Sequence, residues 1–164
     1  MVASLYIEEV PVEARETLMP ILGVSFTGLY LWHARKTLRS ARWVRSASQG
    51  SSVVGLAMST MFESSGYVYY AAVTPSERGK GVGGVLVDDA LGLLRAEGAR
   101  EIFACARAEN AASIQLLRSR DFVVTSFPEI ARSKGFVAAV SLWIQMVVAP
   151  GEKVFTRDIT DSLR

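Results

Sequence analysis

The chain has 164 residues and a mass of 17.8 kDa, enough for one domain around one hydrophobic core and too short for a second. Half of it is apolar and 21% is charged, with a mean hydropathy of +0.26, which excludes disorder over most of its length. With 18 basic and 16 acidic residues the formal net charge is +2, which predicts no general attraction to nucleic acid, so any anion site must be local.

Leu5 to Val10 reads as a short first strand. Helix formers follow from Val12 to Leu22, with Glu13 and Glu16 near the start, where the helix dipole favours acids. From Thr27 to Ala41 the apolar residues Tyr30, Leu31, Ala34 and Leu38 recur every three or four positions, which predicts an amphipathic second helix. Arg35, Lys36, Arg39 and Arg42 make its other side a solvated basic face, with an acidic acceptor or partner as the sharper reading. Trp43 to Ala47, Val53 to Phe62 and Tyr67 to Val73 are separated by the turn signals Gln49-Gly50-Ser51-Ser52 and Ser64-Ser65-Gly66, so three antiparallel strands are expected.

Gly83 to Glu97 then sets Leu86, Val87, Ala90, Leu91 and Leu94, with Val82 just ahead, on one helical stripe, closed by Gly98 as a C-cap. Between the strands Tyr67 to Val73 and Ile102 to Ala106 this helix forms a βαβ unit, whose strands run parallel. Ala111 to Arg118 reads as a helix and Phe122 to Phe127 as a strand. Val137 to Val148 alternates Ala138, Val140, Leu142, Ile144, Met146 and Val148 on one face, which predicts a long closing strand and a surface that a second copy of the chain could share. Residues 151–164 read as a polar tail, and the fold class expected is a mixed α/β sheet in a single domain over residues 1–164.

The lone Cys105 has no disulfide partner, and the lone His33 leaves no cluster with zinc-site spacing, so no metal is expected. Glu8 and Glu9 stand where a secretory signal would be basic. Phe136 to Pro150 falls short of the roughly 20 apolar residues of a membrane helix, so the expectation is a cytoplasmic protein with no membrane segment.

The informative segment runs from Val73 to Gly84. Gly79, Gly81, Gly83 and Gly84 can take positive φ and let backbone N–H groups converge on an anion at the positive end of the helix, beside Arg78 and Lys80. A Walker loop would need Ser or Thr after Lys80, where Gly81 stands. Gly79-x-Gly81-x-x-Gly84 meets the dinucleotide pattern, but Pro75 and the residues after it separate the strand from the first glycine, and Glu101 precedes the next strand instead of closing it.

Arg78-x-x-Gly81-x-Gly83, preceded by Val73-x-Pro75 and followed by Asn110, Leu116 and Phe122, resembles the GCN5-related N-acetyltransferase (GNAT) superfamily over about Tyr67 to Phe122. The resemblance implies a fold of about seven strands flanked by about four helices, in which one parallel strand pair splays apart. It also implies acetyl-CoA as co-substrate, with the pyrophosphate held by Arg78, Gly79, Lys80, Gly81, Val82, Gly83 and Gly84 and the pantetheine arm by the backbone of Ala72 and Val73. Asn110 would cap its helix and, with Ser113, reach the cofactor.

Members of that family often protonate the departing thiolate with a tyrosine after the leucine of this second motif, and here the position is Leu117. The glycine before the closing Phe122 is replaced by Asp121. The two common positions for a glutamate base fall on Tyr67 and Cys105, neither of them a carboxylate. Glu63, Tyr69 and Tyr70 are the remaining candidates for proton transfer, while Cys105 reads as a small buried hydrophobe and Glu109 as a solvated charge. Tyr30, Trp32 and His33 on the second helix are candidates for contact with the acceptor. The activity expected is direct acetyl transfer to a primary amine of a small molecule or a protein; a non-catalytic acyl-CoA-binding module is the alternative.

Overall fold

The computed structural model describes residues 4–160, which divide into two compact units. Its seven strands are β1 (Leu5–Glu9), β2 (Trp43–Gln49), β3 (Ser52–Phe62), β4 (Ser65–Val73), β5 (Glu101–Arg107), β6 (Val123–Thr125) and β7 (Glu152–Asp158). They follow the sheet order β1-β2-β3-β4-β5-β7-β6. The helices are α1 (Met19–Ser25), α2 (Gly28–Ser40), α3 (Val82–Ala96), α4 (Ala111–Arg118), α5 (Phe127–Lys134) and α6 (Phe136–Met146).

The first unit holds residues 4–60 and 68–97. Its strands pair antiparallel from β1 to β3, and a bulge at Ala47/Ser48 lets β2 twist. The expected helix from Val12 to Leu22 is split: Val12–Leu18 is a 3-10 helix, and the α-helical turn restarts at Met19. Pro20 is the reason, since it has no N–H to give a helix running through from Val12 but suits the first turn of a new one. Arg15 is buried there and donates to the carbonyls of Val10 (3.3 Å), Leu38 (3.2 Å) and Ala41 (2.7 Å), so one guanidinium closes the C-terminal end of α2. The core joins Leu18, Leu22, Leu38, Val44, Leu56 and Met58, each 2% exposed or less, and Val82 and Leu86 of α3 pack on Ala47, Val54 and Ala57.

The second unit holds residues 61–67 and 98–160. Here β7 lies between β5 and β6 and pairs antiparallel with both. The opening of β4 is fixed beside β5 by Arg100 N–H donating to the Ser64 carbonyl at 2.9 Å and by Ser65 Oγ donating to Glu101 at 3.0 Å. Glu101 also pairs with Lys134 of α5.

Two expectations are corrected in this unit. Phe136–Met146 is helix α6, not a closing strand, and it buries Ala139, Leu142 and Met146, one face at helical spacing. The run is apolar at nearly every position, so an alternating set can be drawn through it as easily as a helical one. Gly135 at φ +88° and Val147 in the left-handed region end the helix on both sides. The second correction is that residues 152–158 of the supposed tail form β7, because Val154 and Phe155 are fully buried between two neighbours and supply enough apolar contact for a central strand. With α5 and α6, the described residues form six α-helices, against about four expected. The Phe122 to Phe127 strand is shorter than expected, and Phe127 opens α5, where it packs edge-on against Phe136 and Trp143.

Candidate functional site

In the first unit the chain leaves β4 at Val73, and Thr74 N–H bonds the Val54 carbonyl at 2.9 Å. A 3-10 turn at Pro75–Glu77 follows, then Arg78 and the glycines. Gly79 (φ +77°) and Gly81 (φ +87°) take the left-handed conformation, the second as N-cap of α3. Gly81 has no side chain to cap the helix, so the N–H groups of Val82, Gly83 and Gly84 are presented at its positive end. Val82 turns its side chain into the core and anchors that turn.

Arg78 works differently from a free cation. Its Nε donates to the Val73 carbonyl (3.0 Å), and one terminal nitrogen donates to the Val24 carbonyl (3.2 Å) and reaches Ser25 Oγ (3.5 Å), so it ties the loop to the ends of β4 and α1. Lys80, exposed, pairs with Glu77 at 3.1 Å. Thr74 Oγ1, just ahead of the loop, is buried with no hydrogen-bond partner, an unmet polar capacity at this spot. The uncapped N–H groups at the start of α3, with exposed Lys80 near them in the loop, fit a phosphate-bearing ligand.

Of the β4 residues singled out above, Ala72 is buried and Tyr69 and Tyr70 are partly buried. Burial raises the Tyr69 phenol above its ordinary pKa, so this group stays protonated through neutral pH. The Tyr70 hydroxyl lies 2.7 Å from His33 Nδ1, and Phe26 packs edge-on against the Tyr70 ring. A proton-transfer candidate and an acceptor-contact candidate are thus brought into one hydrogen bond, 37 residues apart in the chain. Tyr30 lies partly buried on α2, one turn before His33.

In the second unit Glu63 is exposed in the turn that enters β4, at φ +55°, whereas the glycine loop follows the far end of that strand. Asn110 is the N-cap of α4, its Oδ1 accepting from Ser113 N–H at 3.1 Å. Leu117 is buried and packs as core. Asp121 stands at φ +62°, a conformation glycine takes at no cost. Asp121→Gly should therefore stabilise the protein by about 0.5 to 1 kcal/mol in urea denaturation; a loss of stability would mean that the Asp121 side chain holds the turn.

Burial pushes the Cys105 thiol up to about 12, with a Tyr67 hydrogen bond opposing and the Glu152 charge adding to the shift. Tyr67 itself is buried, donates to the Met146 carbonyl at 3.1 Å and stacks on Phe62. The Cys105 thiol therefore stays protonated at pH 8. Labelling by iodoacetamide should be roughly a thousandfold slower than for a free thiol and should accelerate only in strong alkali. Cys105 is half-buried, less enclosed than the sequence reading of a small buried hydrophobe, and rapid labelling at pH 8 would show that its thiol pKa is not raised.

Sequence reasoning missed the Arg78 anchors and Gly55, where an added Cβ would stand 2.9 Å from the Ala72 carbonyl oxygen. A glycine inside a strand is a usable signal of such an approach. Among the described residues no helix is long and apolar enough to cross a membrane, and no three His, Cys, Asp or Glu gather as metal ligands.

The pattern of the acetyltransferase (GNAT) family matches residues 7–122. No curated protein matches the chain. Among solved structures it is similar to an IAA acetyltransferase from Bacillus cereus, at 16% identity and a TM-score of 0.71, over 95% of this chain and 100% of that one. It is similar to the PaiA N-acetyltransferase of Thermoplasma acidophilum in complex with coenzyme A, at 12% identity and a TM-score of 0.71, over 94% and 99%. A Bacillus subtilis acetyltransferase in complex with CoA gives 17% identity and a TM-score of 0.71, over 95% and 99%.

Proposed function

The chain belongs to the GNAT acetyltransferase family, and from that membership we propose that it is an acetyl-CoA-dependent N-acetyltransferase acting on a primary amine. The observation that carries the reading is the uncapped start of α3, entered through two left-handed glycines and fastened from behind by Arg78. In this reading Arg78 and Gly79 shape the cradle, and the N–H groups of Val82, Gly83 and Gly84, with Lys80 and Gly81 beside them, hold the pyrophosphate. Ala72 and Val73 orient the pantetheine arm, and Asn110 and Ser113 contact the cofactor from the start of α4.

When bound, acetyl-CoA supplies a thioester whose acyl carbon takes the amine and whose sulfur departs. The chain must keep the amine unprotonated, hold the acyl oxygen and return one proton to sulfur. Tyr70, hydrogen-bonded to His33, is the group best suited to move that proton, with Tyr69, a phenol kept protonated by burial, and Glu63 as further candidates. Tyr30 and His33 are assigned to the acceptor, a small molecule or a protein amine. We read residues 1–164 as one catalytic domain of the cytoplasm, alone or as a homodimer.

Leu117, packed in the core at the position where the family resemblance implies a proton-donating tyrosine, favours a second reading, a CoA-binding module without turnover. Calorimetric titration with acetyl-CoA, with NADH and ATP as controls, followed by thiol release on a panel of amines, separates the two. Binding with release supports the enzyme, binding without release supports the module, and no binding of acetyl-CoA overturns both.

A further inference from the structure

We propose that the outward face of α2 is a docking surface for an acidic peptide segment carrying an apolar side chain. The helix buries Ala34, Thr37 and Leu38 and turns His33 to Tyr70. Its opposite side carries Leu29, 75% exposed, and Trp32, 59% exposed, followed by Arg35, Lys36 and Arg39. Large apolar side chains left that open beside a run of cations are what a protein interface uses as its anchor and its rim.

Trp32, Arg35, Lys36, Arg39 and Ser40 line an open depression of about 410 Å³. Lys36 Nζ stands 5.5 Å from the centre of the Trp32 ring, so the indole and the lysine form one wall. The charge on this wall is not balanced from within. Helix α2 has no Asp or Glu, and the contact that supplies one is Glu16, which is bound to Arg39 at 2.6 Å. Among the described residues Arg35 and Lys36 pair with no carboxylate.

The complement of such a wall is a short stretch with two or more carboxylates next to an apolar residue: the carboxylates meet Arg35 and Lys36, and the apolar group covers Trp32 and Leu29. A nucleic acid is the poorer complement, because its affinity comes from many phosphate contacts, of the order of 6 to 10, and this face offers three cations, one already paired. The surface uses none of the residues assigned to acetyl-CoA or to proton movement; it shares α2 with Tyr30 and His33 and takes over Trp32, one of the acceptor-contact candidates read from the sequence, which is 59% exposed and has no part in the His33–Tyr70 hydrogen bond.

Fluorescence anisotropy with a labelled peptide of Asp and Glu around one Phe tests it, against the same peptide with Lys for the acids and a single-stranded RNA of equal length. The acidic peptide should bind at least about tenfold more tightly than the basic one and weaken severalfold between about 50 and 300 mM salt. Arg35→Glu with Lys36→Glu should lower affinity at least about tenfold, and Trp32→Ala about fivefold. Arg132→Glu with Lys153→Glu, the same change in net charge elsewhere, should leave it within about twofold. Circular dichroism would confirm that each variant is folded. Equal losses in the two charge-reversed pairs, tighter binding of the RNA, or no binding of the acidic peptide would each overturn the proposal.

Discussion

Acetyl-CoA affinity should fall by at least about a hundredfold when Arg78→Ala and Gly81→Ala are combined, a loss of about 2.7 kcal/mol. Two independent parts of the cradle are removed. Gly81 sits at φ +87°, where an alanine costs about 1 to 2 kcal/mol or moves out of the left-handed region, and moving it turns the first N–H groups of α3 away from one point. Arg78 holds the preceding residues against the Val73 and Val24 carbonyls, and its loss frees the loop that the glycines shape. An added Cβ at Gly81 meets nothing within 4 Å, so the folded core should survive. Lys80→Ala, by contrast, removes an exposed charge and should cost about tenfold or less, diminishing with salt. Calorimetry on both variants, with melting followed by circular dichroism, checks this. Undiminished acetyl-CoA affinity in the double variant would place the cofactor elsewhere.

That loop was legible in part: Gly79 and Gly81 take the left-handed conformation that only glycine meets without a penalty, whereas Gly83 and Gly84, expected to do the same, are helical residues in the first turn of α3. Asn110 was legible too, since its side chain caps α4 by a local rule that needs no partner from elsewhere. What the sequence hid is long-range or ambiguous. His33 and Tyr70 were each visible as polar candidates, but nothing in their spacing says that α2 and β4 bring them within 2.7 Å. The distant anchor of Arg78, the Val24 carbonyl near the end of α1, lies 54 residues away. Phe136–Met146 satisfied two periodicities at once, and only its packing decides for the helix, since Ile144 is left 69% exposed on the alternating face. In β7 the apolar signal is two residues long, Val154 and Phe155, and a central strand with so short a run reads as tail until its neighbours are known.

Gly55→Ala should destabilise the protein by about 1 to 3 kcal/mol, and Gly55→Val by more, because β3 runs beside the end of β4 and packs against the start of α3. A Cβ on Gly55 would stand 2.9 Å from the Ala72 carbonyl oxygen, 2.9 Å from Leu86 Cδ1 and 3.4 Å from Val82 Cγ1. Leu86 can change rotamer, but the Ala72 oxygen belongs to the backbone and moves only with the strand. The residues displaced are those assigned to the cofactor: Ala72 to the pantetheine arm, and Val82 to the first turn of α3. The substitution should therefore weaken acetyl-CoA binding in the fraction that remains folded, by more than a surface change of the same size. Urea denaturation gives the first quantity and calorimetry below the unfolding midpoint gives the second. A loss of stability with full affinity would show that Ala72 can shift without disturbing the cofactor, and would move the weight of recognition onto the α3 turn alone. A loss of both would mean that the close packing between β3, β4 and α3 and the binding of the cofactor depend on the same backbone position.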